Sequence, residues 1–142
     1  MPSRKTPLRL LGHSTSKLPQ KPDRKILETF PNRNSKRDYW VSLTCPEFTV
    51  LCPVTGQPDF GTLAIRYVPN ELCVETKSLK FYLASFRSQH AFGEDVINRI
   101  ADDLIAVLCP RQFSLHAQYT PRGGISLSVV IEHPTTTKLC EP

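Results

Sequence analysis

An α+β domain, an antiparallel sheet with two helices on one face, is the fold class that this sequence predicts. Three observations predict it. Two β-rich stretches precede residue 70, two segments of helical period occupy residues 79–108, and two alternating stretches flank a Pro-Arg-Gly-Gly turn. The order is ββ, then αα, then ββ. That order suits an antiparallel sheet with its helices gathered on one side.

The elements follow in turn. Residues 38–44 alternate and are rich in β-formers, so they read as a strand, and Pro46 marks a break after it. Residues 61–68 read as a second strand, with Leu63, Ile65 and Tyr67 on one face. Pro69-Asn70 signals a turn, and residues 72–75 restart a short extended segment. Leu79, Tyr82, Leu83 and Phe86 recur at helical spacing, which predicts a helix to about residue 89. Residues 93–108 form a second helix with Val96, Ile97, Ile100, Leu104, Ile105 and Leu108 on its apolar face. Glu94 and Asp95 suit its positive N-terminal end, and Pro110 ends it. Residues 113–119 and 125–131 are alternating strands joined by the Pro121-Arg122-Gly123-Gly124 turn.

The chain has 142 residues, the size of one domain, and leaves little room for a deep pocket of its own. Small domains that hold large ligands often build the site between subunits, which points to self-association. The formal charge of +5 is unevenly spread, because residues 1–37 carry ten Lys/Arg against two Asp/Glu while the remainder is mildly acidic. Pro, Ser, Lys and Arg dominate this front, with sparse aliphatics. It is expected to be a basic, mobile arm (1–37) before a folded domain (38–134) and a short tail (135–142). The arm is either a nucleic-acid or acidic-partner arm or a solvated extension. It lacks interleaved aromatics, which favours the second reading, so no nucleic acid is required. The five cysteines are odd in number and show no C-x-x-C spacing, and no leading apolar segment or membrane span is evident. Reduced thiols and a cytoplasmic protein are the expectation. Cys and His are scattered without compact ligand spacing, so no metal is expected.

The chemistry concentrates at Cys52-Pro-Val-Thr-Gly-Gln-Pro-Asp59-Phe60. A thiol lies seven residues before a carboxyl across a turn-forming Pro/Gly segment, so the two can face one cavity. An ionised thiol is a strong nucleophile and a carboxylic acid delivers protons, a pair suited to attack on a carbon–nitrogen or carbon–oxygen multiple bond. Read without that chemistry, the same residues are a structural cysteine and a turn-capping aspartate. A second stretch, Val74-Glu75-Thr76-Lys77-Ser78-Leu79-Lys80-Phe81-Tyr82, places a carboxylate, two cations and two aromatics where a strand passes into a helix.

Together with Thr120-Pro121-Arg122-Gly123-Gly124-Ile125-Ser126, these stretches resemble the NADPH-dependent 7-cyano-7-deazaguanine reductases, the nitrile reductases of queuosine biosynthesis, in their short single-domain class. The resemblance spans about residues 39–128. It implies a tunnelling fold, in which the sheets of several subunits join into a barrel with sites at subunit boundaries. Two stacked pentamers are the assembly it suggests. It also implies that Cys52 adds to the nitrile carbon to give a thioimide, with Asp59 protonating the nitrogen. Val74, Glu75, Thr76, Gly93 and Glu94 align with substrate-binding positions. Glu75 is suited to accept an N–H and an exocyclic amine together. Lys77, Lys80 and Arg122 align with cations for the phosphates of NADPH, the co-substrate, of which two are consumed per nitrile. The chain has no G-x-G-x-x-G fingerprint, so a Rossmann site is not expected.

One departure stands out. The family commonly has His before the second-helix Glu, where this chain has Phe92-Gly93-Glu94, with His90 three residues before Gly93. The contact at Gly93 is then missing, or His90 or another subunit supplies it. Two further readings stay open at this point: an amidine-forming relative acting on the same nitrile without NADPH, and a non-catalytic RNA-binding module using the basic arm.

Overall fold

The computed structural model describes residues 17–134. A four-stranded antiparallel sheet runs in the order β2 (Val41–Leu51), β3 (Pro58–Val68), β5 (Gln112–Tyr119), β6 (Ser128–His133). A second sheet pairs β1 (Thr29–Pro31) with β4 (Leu72–Val74), antiparallel. Helices α1 (Thr76–Ala84) and α2 (Gly93–Leu108) connect β4 to β5. The predicted α+β class and the strand–helix order hold; within one chain the larger sheet is open, with β2 and β6 as its edges.

Period-two alternation explains the sheet's two faces. Leu63, Ile65 and Tyr67 of β3 and Phe113, Leu115 and Ala117 of β5 are buried, while Thr62, Arg66, His116 and Gln118 between them are exposed. The apolar stripe of α2 covers the buried face with Val96, Ile97, Ile100, Ala101, Leu104 and Leu108. The second helix has the predicted bounds. Its last turn closes on Cys109 in the left-handed region (φ 43°), whose N–H donates to the Ile105 carbonyl at 2.9 Å.

Four sequence expectations are corrected. Pro46 does not end the first strand. β2 runs through it, and the register shifts between Cys45 and Phe48. A proline is tolerated there because β2 is an edge strand and the bulge leaves its missing N–H without consequence. The first helix is α1 followed by a 3-10 turn, Ser85–Ser88, rather than one helix to residue 89. β6 begins at Ser128, not at residue 125. Ile125 is taken up by the hairpin turn, where Arg122 and Ile125 exchange both backbone hydrogen bonds at 2.9 Å, and Gly123 and Gly124 supply the positive φ that such a turn needs.

The fourth correction concerns the expected mobile arm. Its second half is held on the domain. Arg24–Ile26 form a 3-10 turn, Leu27 is buried, and β1 pairs with β4. The reason is a polar knot that composition hides. Asp103 of α2, only 6% exposed, accepts from the Tyr82 hydroxyl at 2.6 Å and pairs with Arg24 Nε at 2.9 Å. Basic residues read as solvated charge therefore include one that ties the front of the chain to the helices. Residues 1–16 and the expected tail, 135–142, lie outside the described residues.

Removing the Asp103 carboxylate orphans the fully buried Tyr82 hydroxyl and releases Arg24. Asp103→Ala should lower stability by about 2 kcal/mol, a buried donor's desolvation cost, measured by urea denaturation. A change within error of zero would show that the knot contributes nothing.

Candidate active site

Cys52 follows the last residue of β2, at the start of a tight turn. Its N–H donates to the Gln57 carbonyl at 2.8 Å, and its carbonyl accepts from the Gly56 N–H at 2.9 Å. Gly56 has φ 71°, so the turn needs a residue without a Cβ there. Hydrogen bonds from the Thr55 hydroxyl and from the backbone N–H groups of Thr55 and Val54 hold the Cys52 thiol below its ordinary pKa. Partial desolvation and the nearby Asp59 charge push the other way without reversing the shift. The turn is thus a thiolate cradle built from local sequence.

Asp59 stands on β3 opposite Val50, beside that turn. Arg122, from the β5–β6 turn, pairs with it (Nε to Oδ1, 2.9 Å). The same guanidinium donates to Gln57 Oε1 at 2.9 Å and to the Pro58 carbonyl. Arg122 therefore clamps the Cys52 turn, the start of β3 and the β5–β6 hairpin together. The sequence reading placed it among the phosphate-binding cations; here it is engaged with the expected proton donor.

The link between α1 and α2 passes along this end of the sheet. Leu51 N–H donates to Gln89 O at 2.9 Å, and Ala91 N–H donates to Leu51 O at 3.0 Å, so His90 runs parallel to the end of β2. His90 is exposed, with Nε2 4.0 Å from where a Cβ on Gly56 would sit. Gly93 opens α2 and the exposed Glu94 occupies its first turn. Gly93 does not adopt a positive φ. A Cβ on it would instead lie 2.9 Å from Tyr119 Cε2, so a side chain there would displace the Tyr119 ring.

Val74, Glu75 and Thr76 lie elsewhere. They line a cavity of about 400 Å³ with Phe30, Tyr39, Val41, Leu43, Tyr67 and Cys73. Tyr67 accepts from the Val74 N–H at 3.0 Å, and Tyr39 donates to Asn32 at 2.7 Å. Glu75 is the N-cap of α1. Each of its oxygens accepts one backbone N–H, from Lys77 and from Ser78, both at 2.7 Å. These two bonds lower its pKa, the Lys77 one more strongly, against a smaller effect of burial. Helix-start capping and ligand recognition are compatible, because each carboxylate oxygen keeps a second acceptor site. Lys77 and Lys80 are exposed on α1; Lys77 Nζ lies 5.9 Å from the Phe81 ring centroid, and Lys80 borders a cavity at the β2 bulge.

The predicted residues therefore form two groups at opposite ends of β3. Asp59 marks one end, with Cys52, Arg122, Gly93 and Glu94 around it. Tyr67, eight positions along, marks the other with Val74, Glu75 and Thr76. At about 3.3 Å per residue the two ends are roughly 26 Å apart.

A family model described as QueF-like protein matches residues 58–138, more than half of the chain. An NADPH-dependent 7-cyano-7-deazaguanine reductase of Nitrosospira multiformis is 55% identical over 116 residues, 82% of this chain and 83% of that protein. The chain belongs to this family. A reductase of the same name from Thiobacillus denitrificans is 56% identical over 77% of this chain and 78% of its own. Another, from Bacillus pumilus, is 57% identical over 72% of this chain and 62% of its own. The crystal structure of an archaeosine synthase, QueF-Like, in the apo form superposes with a TM-score of 0.64 at 17% identity, covering 69% of this chain and 96% of that one. At that identity the likeness speaks to the fold alone.

Sequence reasoning missed the aromatic residues of this family member's two groups: Phe30, Tyr39 and Tyr67 beside Glu75, and Tyr119 beside Gly93. Alternation placed Tyr67 and Tyr119 on buried strand faces, where an aromatic reads as core. Among the described residues, no group of three or more His, Cys, Asp or Glu is placed to hold a metal, and no helix is long and apolar enough to cross a membrane.

The cradle around Cys52 has a pH consequence. Thr55→Val removes the largest contribution holding the thiol down, so the thiol pKa should rise and thiolate-dependent alkylation should move to higher pH. Asp59→Asn removes a charge that opposes ionisation and should move the same profile to lower pH. Alkylation rates of Cys52 against pH, followed by peptide mass, measure both. Identical profiles for the three proteins would remove the cradle from the argument.

Proposed function

We propose that the chain reduces the nitrile of 7-cyano-7-deazaguanine to the aminomethyl group with two NADPH, in queuosine biosynthesis for tRNA. The observation that carries this reading is the Cys52 thiol, held below its ordinary pKa beside Asp59, in a chain 55–57% identical to reductases of that name over 72–82% of its length. The thiolate adds to the nitrile carbon, and the C–S bond forms as one C–N π bond breaks. The nitrogen takes a proton from Asp59, giving a thioimide. Asp59, paired with Arg122 as a carboxylate beside the Cys52 turn, takes that proton from the Cys52 thiol as the thiolate forms and passes it to the nitrogen. NADPH, when bound, supplies hydride, and reducing a nitrile to an amine takes four electrons, hence two equivalents. After the first hydride reaches the carbon, the Cys52 thiolate leaves and an imine results; the second completes the amine, with protons delivered through Asp59. Lys77 and Lys80, exposed one helical turn apart, suit the cofactor's phosphates. Glu75 suits the ring's adjacent N–H and amine.

The separation of the two groups along β3 supports a shared site. Glu75 of one subunit meets Cys52 of its neighbour when open sheet edges join, as in a barrel of subunits; two stacked pentamers are the assembly proposed. A cytoplasmic enzyme fits this reading.

Purified protein with the nitrile should oxidise two NADPH per product, followed at the nicotinamide absorbance band. Without NADPH, intact mass should show one added nitrile per chain, absent in Cys52→Ala. Turnover by Cys52→Ala would refute the covalent route. Consumption of ammonia with no NADPH oxidation would mark an amidine-forming enzyme instead.

Sharing of the site is tested by complementation. Cys52→Ala and Glu75→Ala chains, each inactive alone, should regain roughly a quarter of wild-type activity when co-expressed, because some interfaces then unite two intact halves. No recovery would place each whole site within one chain.

A further inference from the structure

Tyr119 sits in a slot made by two glycines. A Cβ on Gly61, its partner across β3 and β5, would lie 3.2 Å from Tyr119 Cδ1 and 3.2 Å from the Gln118 carbonyl oxygen. A Cβ on Gly93 would lie 2.9 Å from Cε2, 3.0 Å from Cζ and 3.2 Å from the hydroxyl oxygen. The approach at Gly93 falls below 3.0 Å and would displace the ring, while that at Gly61 is merely tight, so the ring fills space that the two glycines leave open. Two strands and the start of α2 thus converge on one phenol.

The hydroxyl it delivers is poorly matched within the chain. It donates to the Gly93 carbonyl at 3.4 Å, well beyond the 2.7–2.8 Å usual for O–H···O. Tyr119 is 5% exposed, so this weak bond leaves a nearly buried donor with capacity to spare. Its ring borders a cavity of about 200 Å³ shared with Asp59, Gly93, Thr120, Arg122, Ile125 and Leu127. Burial, then the charges of Asp59 and Glu94, raise its pKa, so it keeps its proton and acts as a donor.

We propose that Tyr119 is a substrate-contacting specificity residue, whose hydroxyl exchanges its long bond to Gly93 for a hydrogen bond to the carbonyl oxygen of the deazaguanine ring. The Glu75 carboxylate, which suits the ring's N–H and amine, can only accept. The ring carbonyl needs a donor, and the Tyr119 hydroxyl is a neutral one at the wall of the cavity shared with Asp59. Gly93 is then part of the device: it offers no side chain but admits the phenol that does. This inference rests on the nitrile-reductase reading.

The test compares wild type with Tyr119→Phe, which keeps the ring in its slot and removes only the hydroxyl. KM for 7-cyano-7-deazaguanine should rise about tenfold, the loss expected for one hydrogen bond. The kcat, the KM for NADPH and the melting temperature should stay near wild type. Binding of a 7-cyano-7-deazapurine lacking the ring carbonyl should be equal in the two proteins, a result that a merely structural tyrosine would not give. Gly93→Ala, which presses on the ring and hydroxyl, should raise the nitrile KM at least as much. A wild-type enzyme that turns over the nitrile while Tyr119→Phe keeps its KM overturns this inference alone. Failure of wild type to oxidise NADPH with the nitrile overturns the reductase reading and this inference with it.

Discussion

The structure depends on the register of β3, an interior strand of the larger sheet that carries Asp59 near one end and Tyr67 near the other. β2 pairs with it from Pro58 to Tyr67 across one bulge, and β5 pairs with it from Gly61 to Val68. Alternation sends Leu63, Ile65 and Tyr67 into the helices, and this buried row fixes the register, since a one-residue slip would turn it out to water. With the register fixed, so are the two ends. One end presents a carboxylate to the Cys52 turn; the other presents a phenol that anchors the backbone of Val74 beside Glu75. A stiff strand cannot fold back on itself, so these two groups stay apart within a chain. That constraint and the two open sheet edges support the proposal that subunits share a site.

Polar groups make the connections that apolar packing leaves undirected. Arg122 fastens a hairpin to the Cys52 turn through Asp59, Gln57 and Pro58. Asp103 fastens the front of the chain to α2 through Arg24 and to α1 through Tyr82. Glu75 starts α1 with both carboxylate oxygens and leaves acceptor sites for a ligand. Arg122 and Glu75 each do a structural task while standing at a proposed reacting or binding group. A substitution at Arg122 or Glu75 therefore changes local geometry as well as charge, and only ligand-selective measurements separate the two effects.

The sequence alone carried the strand–helix order, the bounds of α2, the Pro-Arg-Gly-Gly hairpin and the pairing of a thiol with a carboxyl across one turn. These are local properties. A 3.6-residue or two-residue period, a φ that only glycine readily adopts and a short loop all act over a few positions, so the residues themselves encode them. The Cys52 cradle belongs to the same class, because its donors lie within three residues of the thiol. What the tertiary structure alone decided is everything set by meetings distant in sequence. Pro46 stays within β2 because that strand lies at an edge. Arg24 leaves the solvated front because Asp103, 79 residues on, is buried beneath it. Arg122 meets Asp59 because β5 returns beside β3. Gly93 leaves the space that the Tyr119 ring, 26 residues on, occupies. No local propensity encodes these choices; they are fixed by which faces the packed sheet and helices bring together, and by the cost of leaving a buried polar group without a partner.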